Sequence, residues 1–230
     1  MSSIKFVFFD IDDTLFDFKR SEATALSETL TELGISPTEE TVSLYSRINQ
    51  GQWEALERGE VSRDVLLVRR YELLFEALGI ARDPRKAQKI YEKRLSETYY
   101  YMPYAEKLLE SLSGRFQIYL ASNGTAVVQN GRIALSGIGR FADGIFISEL
   151  VGHNKPSREF FDTCFSQIKD FNNNEAIIIG DSLTSDILGG INAGIKTCLF
   201  NPQNKPCRPD IIPDYEVSSL EEIPALLMRI

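Results

Sequence analysis

The sequence predicts an α/β fold, a doubly wound, Rossmann-like parallel sheet interrupted by an inserted all-helical segment. Three observations carry this. Short apolar runs stop abruptly at polar residues, as strands buried on both faces do. Helical periodicity fills the intervals between most of them, which implies βαβ units with right-handed crossovers. One interval, residues 16–103, holds successive amphipathic helices and no convincing strand.

The first run, IKFVFF at residues 4–9, ends at Asp10. Beyond it, Leu26, Leu30 and Leu33 form a helical stripe closed by Gly34. Ser36-Pro37-Thr38-Glu39 reads as a capping box with Pro37 at the first helical position. A further helix at 65–78 is closed by Gly79, and Asp83-Pro84 opens another that runs towards Met102-Pro103. So long a stretch cannot be a structureless loop within a compact protein. The expected division is therefore an α/β core of residues 1–15 and 104–230, with residues 16–103 forming a helical cap inserted after the first strand. Within the core, helices are expected at 104–112 and 157–168. Strands are expected at 116–121, ending at Ser122-Asn123-Gly124; at 144–147; at 176–180, ending at Asp181; and at 196–200.

The bulk properties exclude several classes. With 230 residues and 43% hydrophobic content, the chain can bury a substantial core and is not disordered. Its net charge of -8 argues against wrapping a nucleic acid polymer through nonspecific phosphate contacts. An anionic small substrate must then be held by local positive charge or by metal. Cys164, Cys198 and Cys207 are odd in number and in no CxxC pattern, so reduced thiols are expected rather than disulfides or zinc. The opening residues lack the long apolar stretch of a signal peptide, and no charge-free segment reaches transmembrane length. A cytoplasmic protein with no membrane partner, monomeric or weakly dimeric, is expected.

The polar residues of interest follow strand ends, where open α/β sheets bind ligands. They are Asp10-Ile11-Asp12-Asp13-Thr14, then Ser122-Asn123-Gly124, then Lys155-Pro156, then Gly180-Asp181 through Asp186. In this order they resemble the four motifs of haloacid dehalogenase-like (HAD) hydrolases, and residues 16–103 lie where that superfamily carries its type 1 cap. An acidic pair after one strand has a plain reading as solvated loop carboxylates. Asp181 and Asp186 after another strand weaken that reading, because so many acids converge poorly without a cation.

The resemblance implies a magnesium-dependent phosphatase. Asp10 is the expected nucleophile and forms an aspartyl-phosphate. Asp12 is expected to protonate the leaving oxygen and then activate water. Lys155 balances the charge of Asp10 and of the phosphoryl oxygens, while Ser122 with the backbone N–H groups of Asn123 and Gly124 binds the phosphate. Asp10 and Asp181 supply hard oxygen ligands for Mg2+, with the Asp12 backbone carbonyl and an outer-sphere Asp186 added by the family pattern. Dehalogenases of similar scaffold lack an acid at the place of Asp12, so its presence points to phosphoryl chemistry.

Asn49-Gln50-Gly51-Gln52-Trp53, Glu57-Arg58-Gly59, Leu67, Arg69-Arg70, Ser148-Glu149 and the stretch GDSLTSDILGGINAG together resemble the pyrimidine 5′-nucleotidase branch. A small phosphorylated metabolite, a nucleoside monophosphate, is the substrate this implies. Action on sugar phosphates or phosphoglycolate, as phosphatase or phosphomutase, is the alternative; a catalytically silent or phospho-signalling protein is another. A phosphorelay receiver would need its phosphorylated Asp after a middle strand and would lack the helical insertion. An EF-hand is excluded by the missing Gly and Glu after Asp10. Phe16, Phe18 and Trp53 are candidate base contacts, with helix packing favoured for Trp53. His153 is expected to position a loop or do nothing, and Arg69 and Arg70 to lie on a solvated helix face.

Overall fold

A computed structural model describes residues 3–206 and 208–230; Cys207 lies outside the described residues. Strands β1 (Phe6–Phe9), β2 (Gln117–Ser122), β3 (Gly144–Ile147), β4 (Ala176–Gly180), β5 (Lys196–Phe200) and β6 (Tyr215–Val217) form one sheet in the order β3-β2-β1-β4-β5-β6. Every pairing is parallel. The expected strands are present, and the first lies between the second and fourth. The sixth was not expected: a three-residue edge strand is too short to leave a hydrophobic pattern.

Alternation along the strands divides the interior into two layers. Val7, Phe9, Ile118, Leu120, Ile177 and Ile179 face one side, where α5 (Ala105–Leu112) and α10 (Ile223–Arg229) cover them. Phe6, Phe8, Tyr119, Ala121 and Ile178 face the other, against Phe160, Phe161 and Cys164 of α8 (Arg158–Phe165), which in chain order lies between the short helices α7 (Ser148–Val151) and α9 (Leu188–Ala193). Both faces are thus sealed, which is why the strands read as continuous apolar runs. Cys164 and Cys198 are buried free thiols, as expected.

Helices α1 (Phe18–Glu32), α2 (Glu39–Glu57), α3 (Arg63–Ala77) and α4 (Pro84–Ser96) follow one another between β1 and α5. They share a separate core that includes Leu26, Leu30, Tyr45, Tyr71, Leu74, Phe75, Tyr91 and Leu95. Val128 of α6 (Ala126–Ser136) joins that core, tying the four helices to the sheet unit. Asp83 caps α4 by accepting from the backbone N–H groups of Arg85 and Lys86, with Pro84 in the first turn, as the sequence indicated.

Three local expectations are corrected. The N-cap of α2 is Thr38, whose hydroxyl accepts from the Thr41 N–H at 3.3 Å. The helix thus starts after Pro37 rather than on it, with Glu39 and Glu40 in the first turn, where they complement the helix dipole. Helix α4 ends at Ser96 instead of continuing towards Met102-Pro103. The backbone beyond it is taken by the chain leaving β1: Asp17 N–H donates to Tyr100 O and Met102 N–H to Leu15 O, each at 2.9 Å. Those partners lie across the crossing rather than four residues back, so the helix stops. Helix α8 is also shorter than expected, with Ser157 as its cap. Among the described residues, no helix is long and apolar enough to cross a membrane.

Candidate active site

Register decides which strand ends meet. Phe9 pairs with Leu120 on one side and with Ile179 on the other. The residues just beyond, Asp10, Ser122 and Asp181, therefore emerge side by side at the carboxyl edge of the sheet. Lys155 reaches into the same place from the loop before α8. Its ammonium donates to Asp10 Oδ1 at 2.7 Å, to Asp186 Oδ1 at 2.6 Å and to the Ala121 carbonyl at 2.7 Å. All three donors of the ammonium are thereby used.

Carboxylate oxygens of Asp10, Asp181 and Asp186 lie within 4.8 Å of one another. The Asp10 carboxyl is pushed up to about 8, chiefly by burial, which Lys155 opposes and Asp186 and Asp12 reinforce. Asp181 is raised too, by burial first and then by Asp10 and Asp186. Burial alone would lower Lys155, but the two carboxylates beside it more than offset that, so it remains an ammonium. One lysine cannot neutralise three converging acids, and the donor set is all hard oxygen, which fits a divalent cation such as magnesium. The Asp12 carboxylate stands outside this cluster.

Local structure explains the placement of the acids. The Thr14 hydroxyl accepts from Asp181 N–H at 3.1 Å, clamping the loop after β1 to the loop after β4. Asp186 sits in a π-helical turn, Leu183–Ile187, and accepts from Ser182 N–H at 3.1 Å. A side chain at Gly180 would collide with the Asp186 carboxylate, so glycine is required at the end of β4. Asp13 adopts positive φ, and its carboxylate accepts from Phe18 and Lys19 N–H at the start of α1.

The Ser122-Asn123-Gly124 turn has a division of labour that the sequence does not display. Ser122 Oγ, 1% exposed, accepts from Gly124 N–H at 3.0 Å and from Gln129 Nε2 at 2.9 Å. Asn123 turns towards Lys155 instead: its Oδ1 accepts from Lys155 N–H and its Nδ2 donates to Lys155 O, both at 2.9 Å. This pair of bonds fixes the loop that aims the lysine. The Thr125 hydroxyl is buried with no partner in the same cavity.

Sequence reasoning missed Gln129 and Arg132, both on α6. Gln129 Nε2 donates to Asp12 Oδ2, and the wholly buried Arg132 pairs with Asp12 Oδ1. These contacts set the direction of the Asp12 carboxylate. Arg132 Nε and Nη2 have no partner. A signal was present: Val128, Gln129, Arg132 and Ile133 share one helical face, so the polar pair sits on an apolar, inward-facing stripe.

A cavity of about 180 Å³ extends from Asp10, Ser122, Lys155 and Asp181 towards the four helices, where Phe18, Trp53, Leu67, Tyr91 and Leu95 line it. Trp53 is half-buried in this wall and absent from the helical core, which corrects the expectation of helix packing. Phe16 is wholly buried between Tyr99 and Tyr101 and does not reach the cavity, whereas Phe18 does. Arg70 is 3% exposed, not solvated, because its helical face turns towards α2 and α4; Arg69 is exposed as expected. His153 is exposed and does not line the cavity. Two contacts join the helices to the sheet edge. Thr184 Oγ1 donates to Glu57 at 2.7 Å, and Arg63 Nη2 donates to Asn123 O, Ser148 Oγ and Asn154 Oδ1.

A parallel sheet with convergent acids, a lysine and a serine at its carboxyl edge defines a hydrolase scaffold, and comparison agrees. The sequence pattern of haloacid dehalogenase-like hydrolases matches residues 4–194, and the chain belongs to that family. It is 38% identical to the HAD-hydrolase YfnB of Bacillus subtilis, over 97% of this chain and 95% of the other. It is 35% identical to the pyrimidine 5′-nucleotidase PynA of Streptococcus pneumoniae, over 95% and 93%, and 31% identical to the pyrimidine 5′-nucleotidase YjjG of Escherichia coli, over 97% of each. The crystal structure of magnesium-bound YfnB superposes with a TM-score of 0.94, covering 98% of this chain and 99% of that one.

Proposed function

We propose that the chain is a magnesium-dependent phosphatase that hydrolyses a nucleoside 5′-monophosphate through an aspartyl-phosphate. The observation that carries this is the joining of the Asp10, Asp181, Asp186 and Lys155 cluster to an aromatic-walled cavity of about 180 Å³. The nucleotidase relatives support the choice of leaving group.

Asp10, Asp181 and Asp186 are the residues that would hold Mg2+, with the Asp12 backbone carbonyl as the family pattern implies. The bound cation supplies charge neutralisation for the transferring group. Lys155 holds one Asp10 oxygen and leaves the other for in-line attack on phosphorus. As the new P–O bond forms, the ester P–O bond breaks and the leaving oxygen takes a proton from Asp12. Water, deprotonated by Asp12, then attacks the aspartyl-phosphate, releasing inorganic phosphate and regenerating Asp10. Ser122 and the turn N–H groups receive the phosphoryl oxygens. For the turn this requires Gly124 N–H to exchange its bond to Ser122 Oγ for one to phosphate. Residues 16–103 act as a cap over the core of residues 1–15 and 104–230, excluding water and selecting the leaving group.

The test is phosphate release from nucleoside monophosphates, sugar phosphates and phosphoglycolate, with and without magnesium, in wild type and Asp10→Asn. Magnesium-dependent release that falls by roughly 1,000-fold or more in the mutant is expected, with pyrimidine monophosphates turned over best. Transfer of phosphate between sugar positions without net release would overturn the hydrolase assignment in favour of a mutase.

A further inference from the structure

A chain of buried polar groups runs through the helical core and ends at the cavity. Glu22, 3% exposed, accepts from Asn49 Nδ2 at 2.7 Å. Asn49 Oδ1 accepts from Arg70 Nη1 at 2.8 Å, and Arg70 Nη2 donates to Gln88 Oε1 at 2.7 Å. The rings of Tyr45, Tyr71 and Tyr91 surround the guanidinium at 5.9, 5.6 and 4.9 Å. Glu22 and Arg70 offset each other's charge, so the network is neutral as a whole.

Its direction is fixed chemically. A guanidinium only donates, so the Gln88 atom facing Arg70 must be the amide oxygen. The Gln88 NH2 group is therefore the end that points away from Arg70, and Gln88 lines the cavity. Among the described residues, the hydrogen bond of the Gln88 side chain is the one to Arg70. Beside it, Tyr91 also borders the cavity, with its buried hydroxyl turned towards Tyr45. An amide donor without a partner, in a wall that presents Trp53, Phe18, Leu67 and Leu95 beside Arg70 and Glu92, points to a ligand that stacks by its face and accepts by its edge.

We propose that Gln88, oriented by Arg70, is the specificity-determining residue that donates a hydrogen bond to a ring carbonyl of the leaving nucleoside's base. This rests on the nucleotidase reading above and assigns the residue that reads the base. Uracil, thymine and cytosine share the C2 carbonyl, whereas adenine offers ring nitrogens set in a larger bicyclic frame, so a donor placed for that carbonyl favours the former. A site built to donate to a ligand oxygen disfavours the analogue lacking it, because the donor stays buried and unpaired.

The experiment measures kcat/KM for UMP, AMP and ribose 5-phosphate with wild type and Gln88→Met, which keeps the length and removes the donor. Wild type is expected to prefer UMP over both, and the UMP-to-ribose 5-phosphate ratio is expected to fall about tenfold in Gln88→Met. A ratio unchanged by the substitution, with the wild-type preference for UMP intact, would overturn the Gln88 assignment alone. A wild type that hydrolyses ribose 5-phosphate as well as UMP would overturn the nucleotidase reading and the assignment with it. If Gln88→Met does not fold, 2-thio-UMP and 4-thio-UMP are compared with UMP on wild type, since sulfur is a poor acceptor. A loss of about fivefold for one of them supports base reading by a fixed donor, and equal rates for all three overturn it.

Discussion

At the scale of single residues, the acids are held by partners that differ in kind. Asp10 and Asp186 share a lysine, whereas Asp12 is steered by Arg132 and Gln129 from another element. Arg132 is wholly buried yet leaves two nitrogens unpaired, an arrangement poor for stability. Replacing it with an apolar residue of similar length removes those unsatisfied donors but also frees the Asp12 carboxylate. Arg132→Met is therefore expected to leave Tm unchanged or raised while kcat falls by about tenfold or more. Thermal melts beside steady-state kinetics check this; a parallel loss of both would mean that Arg132 is chiefly structural.

At the scale of elements, helix ends decide boundaries that periodicity leaves vague. Asp83 satisfies the Arg85 and Lys86 N–H groups at the start of α4, the helix that also carries Gln88, Tyr91 and Leu95 to the cavity. Asp83→Ala is expected to cost about 1 kcal/mol in urea unfolding. The carboxyl edge of the sheet depends on equally local requirements. Gly180 must lack a side chain for Asp186 to reach Lys155, and the Thr14 hydroxyl binds the first loop to the fourth. Secondary structure and site geometry are thus set by the same few residues.

At the scale of the whole molecule, the concentration of acid at the sheet edge links stability to pH and to metal. The carboxyl of Asp10 is raised from 3.8 to about 8, chiefly by burial, and Asp181 is raised likewise. Between those values the folded chain holds more protons at these sites than the unfolded chain, so their contribution to stability falls as pH rises. Metal-free protein is expected to lose Tm progressively from pH 5 to pH 8. On the proposed function, magnesium would bind the deprotonated acids and should raise Tm more at pH 8 than at pH 5. Asp10→Asn should flatten the metal-free slope. Calorimetry across that range, with chelator or with excess magnesium, provides the check; a metal-free Tm that rises with pH would contradict the proposed origin.

The sequence by itself determined the α/β class, the succession of helices after the first strand and the family. Each of these is written in local pattern: buried parallel strands are continuous apolar runs, and the acids lie immediately after them. Asp10, Ser122 and Asp181 were legible for the same reason, since strand ends are where such sheets expose polar groups; Lys155, in the loop before α8, was legible only through the order of the motifs. Tertiary structure alone decided the partners. Arg132 and Gln129 reach Asp12 only because α6 lies beside the loop after β1, far away in sequence. Arg70 reads as a surface cation until α2 and α4 close around it, and Trp53 as core until its neighbours leave it facing the cavity. Periodicity records which face of an element is covered; which element covers it depends on long-range packing, and that decided which side chains line the cavity.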